Sequence, residues 1–199
     1  MKRADLLKKL DFTVAESKKK RVIISSDINN EADDHFAVMH HLLTPSTDVR
    51  GIVASHYEWT PRMFEEKAKD PVMADMLQDD FVKQLFALRG NTVNLSYEVG
   101  DKLLKLANID DVSLFRGSNY EIQDLNNLPQ SEGVDFIIEE AMREDDRPLY
   151  IAILGSITDL AVAYLKEPKI AEKLTAIWIG GGEYPVGEGE FNLIQDVTA

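Results

Sequence analysis

Between Asp27 and Asp34 the chain reads DINNEADD. Four carboxylic acids (Asp27, Glu31, Asp33, Asp34) and two carboxamides (Asn29, Asn30) fall within eight residues. All six offer hard oxygen donors. Like charges held this close raise one another's pKa or require a counter-ion, and oxygen sets of this kind suit Ca²⁺ or Mg²⁺. A helix start accounts for part of the pattern. Asn30 suits an N-cap, with Asp33 at the third helical position as in a capping box. The positive end of a helix dipole stabilises a nearby acid by about 0.3–1 kcal/mol. That explains one or two carboxylates, not four. The competing reading is a solvated acidic turn. An EF-hand loop is excluded, because its Gly and terminal Glu are missing at the required spacing.

Other polar groups follow apolar runs. His56-Tyr57-Glu58-Trp59 comes after one such run, Leu154-Gly155-Ser156-Ile157-Thr158-Asp159-Leu160 after another, and Gly180-Gly181-Gly182 after a third, with Glu190-Phe191-Asn192 beyond it. Taken alone, Glu190-Phe191-Asn192 reads as a loop with one buried Phe, and the Gly triplet as a tight turn. Trp59 could stack on a ligand or pack on the following segment. His35, His40 and His41 stand five and six residues apart, not the four that turns two imidazoles toward one zinc ion on a helix.

The elements that must position these residues alternate. Short, β-branched apolar runs at 21–26, 50–56, 112–117, 148–154 and 174–180 predict buried strands. Helical periodicity predicts helices over 33–43, 131–143 and 157–166. In the first of these, Phe36, Ala37, Met39, Leu42 and Leu43 are expected on the packed side. Strand–helix–strand repetition means an α/β fold, a mainly parallel open sheet flanked by helices. Right-handed crossovers put every strand's C-terminal end on one rim, where ligands bind in such sheets. Residues 57–110 are longer than one crossover needs and predict a helical insertion near the rim, with one helix near 97–107 and a lid as its use.

Composition excludes several classes. A net charge of −13 over 199 residues is wrong for a nucleic-acid partner. The one basic cluster, Lys18-Lys19-Lys20-Arg21, reads as a solvated edge. No apolar run approaches the roughly 20 residues of a membrane helix, and the start shows no signal-peptide pattern. Cysteine is absent, which removes thiolate and disulfide chemistry. The expectation is a cytoplasmic protein without a membrane or nucleic-acid partner.

The acidic turn also carries a resemblance. A strand, then Asp27-x-Asn29-Asn30-Glu31-x-Asp33-Asp34, then an apolar helix resembles the N-terminal signature of the inosine–uridine-preferring nucleoside hydrolase superfamily. It is most similar to the divergent branch called nucleoside hydrolase-like. Arg50 to Ser55 resembles that family's second strand, Leu154 to Leu160 its Gly-x-Leu-Thr-Asn-Leu turn, and Glu190-Phe191-Asn192 its Glu-Phe-Asn segment. The resemblance implies a nucleoside hydrolase, Rossmann-like fold and a hydrolase of N-glycosidic bonds in ribonucleosides or related ribosides. It implies a bound Ca²⁺, with Mg²⁺ the alternative, that orients the sugar and the attacking water. Residue by residue, Asp34, Asn29 and the Leu154 carbonyl would hold the metal. Asp33, Glu190 and Asn192 would hold sugar hydroxyls. The partner would be a small-molecule nucleoside or glycoside, and the assembly a homo-oligomer.

Two departures qualify this. The family's catalytic base falls at Asn29, and a carboxamide cannot take a proton from water near neutral pH, although its oxygen can still ligate a metal. Asp27 or Asp33 must then act as the base, or hydrolysis is impaired. The alternative function is thus a catalytically impaired sugar- or nucleoside-binding protein on the same scaffold. A metal-free, receiver-like α/β domain is a weaker third reading. Family members also run about a hundred residues further and supply a late Asp to the metal. Residues 1–199 are therefore expected to be one α/β domain, C-terminally incomplete.

Overall fold

The computed structural model describes residues 1–10, 12–67, 69–71, 80, 89–183, 185 and 189–199. Among them the strands are β1 (Lys20–Ser26), β2 (Thr47–Ala54), β3 (Leu114–Arg116), β4 (Leu149–Ile153) and β5 (Leu174–Trp178). The α-helices are α1 (Arg3–Leu7), α2 (Asp33–Leu43), α3 (Trp59–Lys67), α4 (Thr92–Leu106), α5 (Glu132–Met142), α6 (Thr158–Lys166) and α7 (Phe191–Gln195). All strand pairs are parallel, in the order β3-β2-β1-β4-β5. The chain builds outward from β1 to β2 and β3, then returns to the other side of β1 for β4 and β5. The strand order therefore reverses between β1 and β4, which opens a crevice at their C-terminal ends.

The apolar runs of β1, β2 and β4 are buried on both faces, as central parallel strands require. The runs at 112–117 and 174–180, also expected to be buried, instead form the edge strands β3 and β5 and leave Arg116, Thr175, Ala176 and Ile177 exposed. Val22 and Ile24 pack with Val38, Leu42, Ile52 and Leu104 on one face. Ile23 packs with Val53, Ile137, Ile151 and Ile153 on the other. Each such side chain contributes about 1.5–3 kcal/mol by leaving water. The rim that carries the site is thus the edge of a rigid two-sided core.

Several expectations are corrected in detail. β2 starts at Thr47, because Thr47 and Asp48 already pair with Lys20 and Arg21. α4 starts at Thr92, five residues before the expected helix near 97. α2 keeps its expected span and only part of its expected inward side, with Leu42 buried and Met39 packed against the core. Asp34, Val38 and Leu42 are buried at four-residue spacing, whereas Phe36 and Leu43 are exposed. Arg21 is not on a solvated edge. It is buried and ion-paired with Glu140, 3.1 Å away, which also takes Arg50 at 2.9 Å. Much of the expected lid falls at 68, 72–79 and 81–88, outside the described residues.

Candidate functional site

Asp27 is the first residue beyond β1, and Asp34 is the second residue of α2. A tight turn joins the two elements: Asn30 N donates to Asp27 O at 2.6 Å, and Asn30 Nδ2 donates to Asp27 Oδ2 at 2.9 Å. Asn30 is therefore a turn residue and not the helix cap. Ala32 holds the cap position, without a side-chain hydrogen bond. The freed helix start lets Asp34 turn inward onto Asp27.

The two carboxyls are both buried, Asp27 at 2% and Asp34 at 7% exposure. The two groups act on each other electrostatically. Burial pushes Asp27 well above the ordinary carboxylate range, and the neighbouring Asp34 charge adds to it. Burial, then the charge of Asp33, raises Asp34 to about 6. No basic side chain among the described residues forms an ion pair with either. Buried carboxyls left in this way either keep a proton or take a cation.

The opposite wall comes from the end of β4. A Cβ on Gly155 would stand 2.3 Å from Asp27 Oδ1 and 3.0 Å from Asp27 N, so only a glycine lets β4 close on this acid. Beside it, the Leu154 carbonyl accepts from Asn192 Nδ2 at 3.2 Å, and the same amide donates to Ile179 O at 2.7 Å. Asp34, Asp27, the 154–155 turn and Asn192 thus form one continuous wall at the strand-order reversal. Asn29 lies at its edge, its amide donating to Tyr57 Oη at 2.6 Å. That leaves Asn29 Oδ1 available as a hard ligand.

The remaining expected residues are arranged differently. Asp33 is exposed on the first turn of α2. Glu190 caps α7: its carboxylate accepts from Asn192 N at 2.9 Å, Leu193 N at 3.0 Å and Gly181 N at 3.1 Å. Its oxygens keep lone pairs for a hydroxyl, but its first task here is local. Among the described residues, no three His, Cys, Asp or Glu side chains converge on one point. A cation here would also need Asn29, the Leu154 carbonyl and oxygens from water or ligand.

Sequence reasoning named Gly155 only as part of the Leu154–Leu160 turn and did not single out Asp196. Gly155 would have needed the β1–β4 pairing to be known. Asp196 is buried and far from the acidic turn in sequence. Trp59 meets Phe191 edge-on, with ring centroids 5.7 Å apart, rather than packing only on its own segment. Asp159 stands where the resembling motif carries Asn. It is fully buried, its Oδ1 accepting from Ser118 N at 2.7 Å and Ser118 Oγ at 2.8 Å, and burial raises its pKa.

An open parallel sheet with a carboxylate-lined crevice at its strand-order reversal defines a class of α/β ligand-site proteins. The chain belongs to the inosine-uridine preferring nucleoside hydrolase family, whose model matches residues 22–199. Solved structures agree on the fold. A plant nucleoside hydrolase, PpNRh1, superposes with a TM-score of 0.61 at 19% identity, covering 90% of this chain and 54% of that one. An inosine-guanosine nucleoside hydrolase gives 0.58 at 20% identity, covering 89% and 54%. A purine-preferring ribonucleoside hydrolase from Gardnerella vaginalis gives 0.58 at 17% identity, covering 90% and 55%. This chain spans about half the length of those structures. No helix among the described residues is long and apolar enough to cross a membrane.

Proposed function

We propose that this chain carries the carboxylate side of an N-ribosyl hydrolase site, acting on a ribonucleoside or related riboside. The observation that carries the reading is the buried Asp27–Asp34 pair, without a basic ion-pair partner among the described residues, against the Leu154–Asn192 wall. The donor set fits a hard divalent cation, Ca²⁺ first and Mg²⁺ second. Asp34, Asn29 Oδ1 and the Leu154 carbonyl would hold it. When bound, it supplies positive charge that orients ribose hydroxyls and acidifies the attacking water.

The chain's own residues do the rest. Asp33, Glu190 and Asn192 hold sugar hydroxyls. Asp27 takes a proton from the water as its oxygen bonds to the anomeric carbon, and the C–N bond breaks with its electron pair leaving on the base. Asp33 is the alternative base. Negative charge at the pair also favours the oxocarbenium-like transition state of glycoside hydrolysis. The small-molecule partner is a nucleoside or glycoside, and the assembly a homo-oligomer.

The test is incubation with p-nitrophenyl riboside and a nucleoside panel, with chelator and with Ca²⁺ restored. Turnover that chelator abolishes and Ca²⁺ restores supports the reading. No turnover in any arm removes it. Asn29 favours a second reading, a catalytically impaired sugar- or nucleoside-binding protein. Under that reading ligand binding survives while turnover is absent.

A further inference from the structure

The four residues His56-Tyr57-Glu58-Trp59, one residue beyond the end of β2, each tie a different element to the rim. Tyr57 Oη accepts from Asn29 of the acidic turn. The Glu58 carboxylate accepts from Gly90 N at 2.8 Å and Thr92 Oγ1 at 2.5 Å, anchoring the segment to the start of α4. Trp59 N donates to Gln195 Oε1 of α7 at 3.0 Å, and its ring meets Phe191. His56 makes the deepest connection. Its Nε2 lies 2.8 Å from Thr158 Oγ1, and Thr158 Oγ1 donates to Asp196 Oδ2 at 2.7 Å. A hydroxyl has one proton, and this one goes to the Asp196 carboxylate. Thr158 must therefore accept from His56, which places the imidazole proton on Nε2. Glu58 N, 3.5 Å from Nδ1, fits that tautomer. His56, Thr158 and Asp196 are all buried.

Asp196 is the last link. It also accepts from Ile122 N at 2.9 Å and from Thr198 N and Ala199 N, each at 3.1 Å. It follows directly on α7, a helix of five residues, too short to hold its shape without tertiary anchors. α7 carries Asn192, the group that closes the site wall on the Leu154 carbonyl.

We propose that His56, Thr158 and Asp196 form a positioning relay that fixes α7, and with it Asn192, in register with the Asp27–Asp34 carboxyl pair. The relay itself stands on the hydrogen bonds above; its effect on a sugar ligand rests on the function proposed in the preceding subsection. All three are positioning residues. They act through Asn192.

The test compares Thr158→Val, which keeps the shape and removes the hydroxyl, with Thr158→Ser, which keeps the hydroxyl. Hydrogen exchange of the peptide spanning 190–199 is read first. Thr158→Val is expected to speed exchange there by about tenfold, the equivalent of roughly 1.4 kcal/mol, with β1 and β4 unchanged. Thr158→Ser is expected to restore slow exchange. In steady-state riboside hydrolysis, Thr158→Val is expected to raise KM about tenfold with a smaller change in kcat, and Thr158→Ser to recover most of it. Unchanged exchange in Thr158→Val, equal loss in both variants, or faster exchange across the whole chain would overturn the relay. Absent hydrolysis in the unmodified protein would overturn the proposed activity and leave the exchange result to decide the relay.

Discussion

Replacing Asp34 with Asn should stabilise the cation-free protein at neutral pH. The native pair confines two acids in a buried space with no basic ion-pair partner among the described residues. Asp34 titrates at about 6 against an ordinary 3.8. At pH 7.5, holding it ionised in the fold would cost at most about 3 kcal/mol by linkage. Its carboxyl keeps some solvent contact, which screens the repulsion, so the expected gain is about 1–2 kcal/mol. The sign follows from the raised folded pKa. Asp34's contribution is fully present below 3.8 and is lost as pH rises through 6. Asp34→Asn and the unmodified protein should therefore be equally stable below 3.8, diverge as pH rises from there to about 6, and keep a constant gap above it, with the variant ahead. With Ca²⁺ at about a hundred times its dissociation constant, the unmodified protein should gain about 2.7 kcal/mol and overtake the variant. Urea unfolding followed by circular dichroism, from pH 4 to 8 with chelator or Ca²⁺, reads both effects. A variant less stable than the unmodified protein at pH 7.5 in chelator would refute the reasoning, because the carboxyls would then already be compensated.

Gly155→Ala pushes a methyl group into Asp27, meeting both side-chain and backbone atoms. It should cost about 1–3 kcal/mol, a thermal midpoint several degrees lower, and should weaken the response to Ca²⁺. Asn29→Asp returns a carboxylate to the expected base position. Riboside hydrolysis should rise by roughly 10²–10⁴-fold if the scaffold is a dormant hydrolase, and stay flat if the pocket has become a binder's. His56 is held neutral by burial, with its pKa lowered to about 4. Its stabilising contribution should be full above 6.5 and lost as pH falls toward 4, a swing of roughly 3 kcal/mol. The difference between the unmodified protein and His56→Gln in pH-dependent unfolding isolates that slope.

Much of this architecture was legible because the central strands are continuous apolar runs. Val22, Ile23 and Ile24 are apolar without alternation, which only a strand covered on both faces tolerates, and the fold class followed. Asp27 and Asp34 were legible as a pair because four acids exceed what a helix start can use. The inward face of α2 was legible only in part, at Met39 and Leu42. The apolar count favoured Phe36 and Leu43, but the helix is rotated so that Asp34 points at Asp27, and Phe36 is left 78% exposed. Local chemistry misled in the same way at Asn30, whose cap-like position is overridden by its bond to Asp27. Glu190 and Asn192 were named through resemblance, yet their first roles are to cap α7 and to bridge the Leu154 and Ile179 carbonyls. Gly155, Thr158 and Asp196 matter through contacts between elements distant in sequence, which no local pattern encodes.

The most direct measurement is a calorimetric titration of Ca²⁺ into chelator-stripped protein, with and without ribose, beside Asp34→Asn. One cation per chain is expected, bound more tightly with the sugar present and at least tenfold more weakly in the variant. Equal binding by both proteins, or none at about 10 mM Ca²⁺, would contradict an inward-facing carboxyl pair built to share a cation.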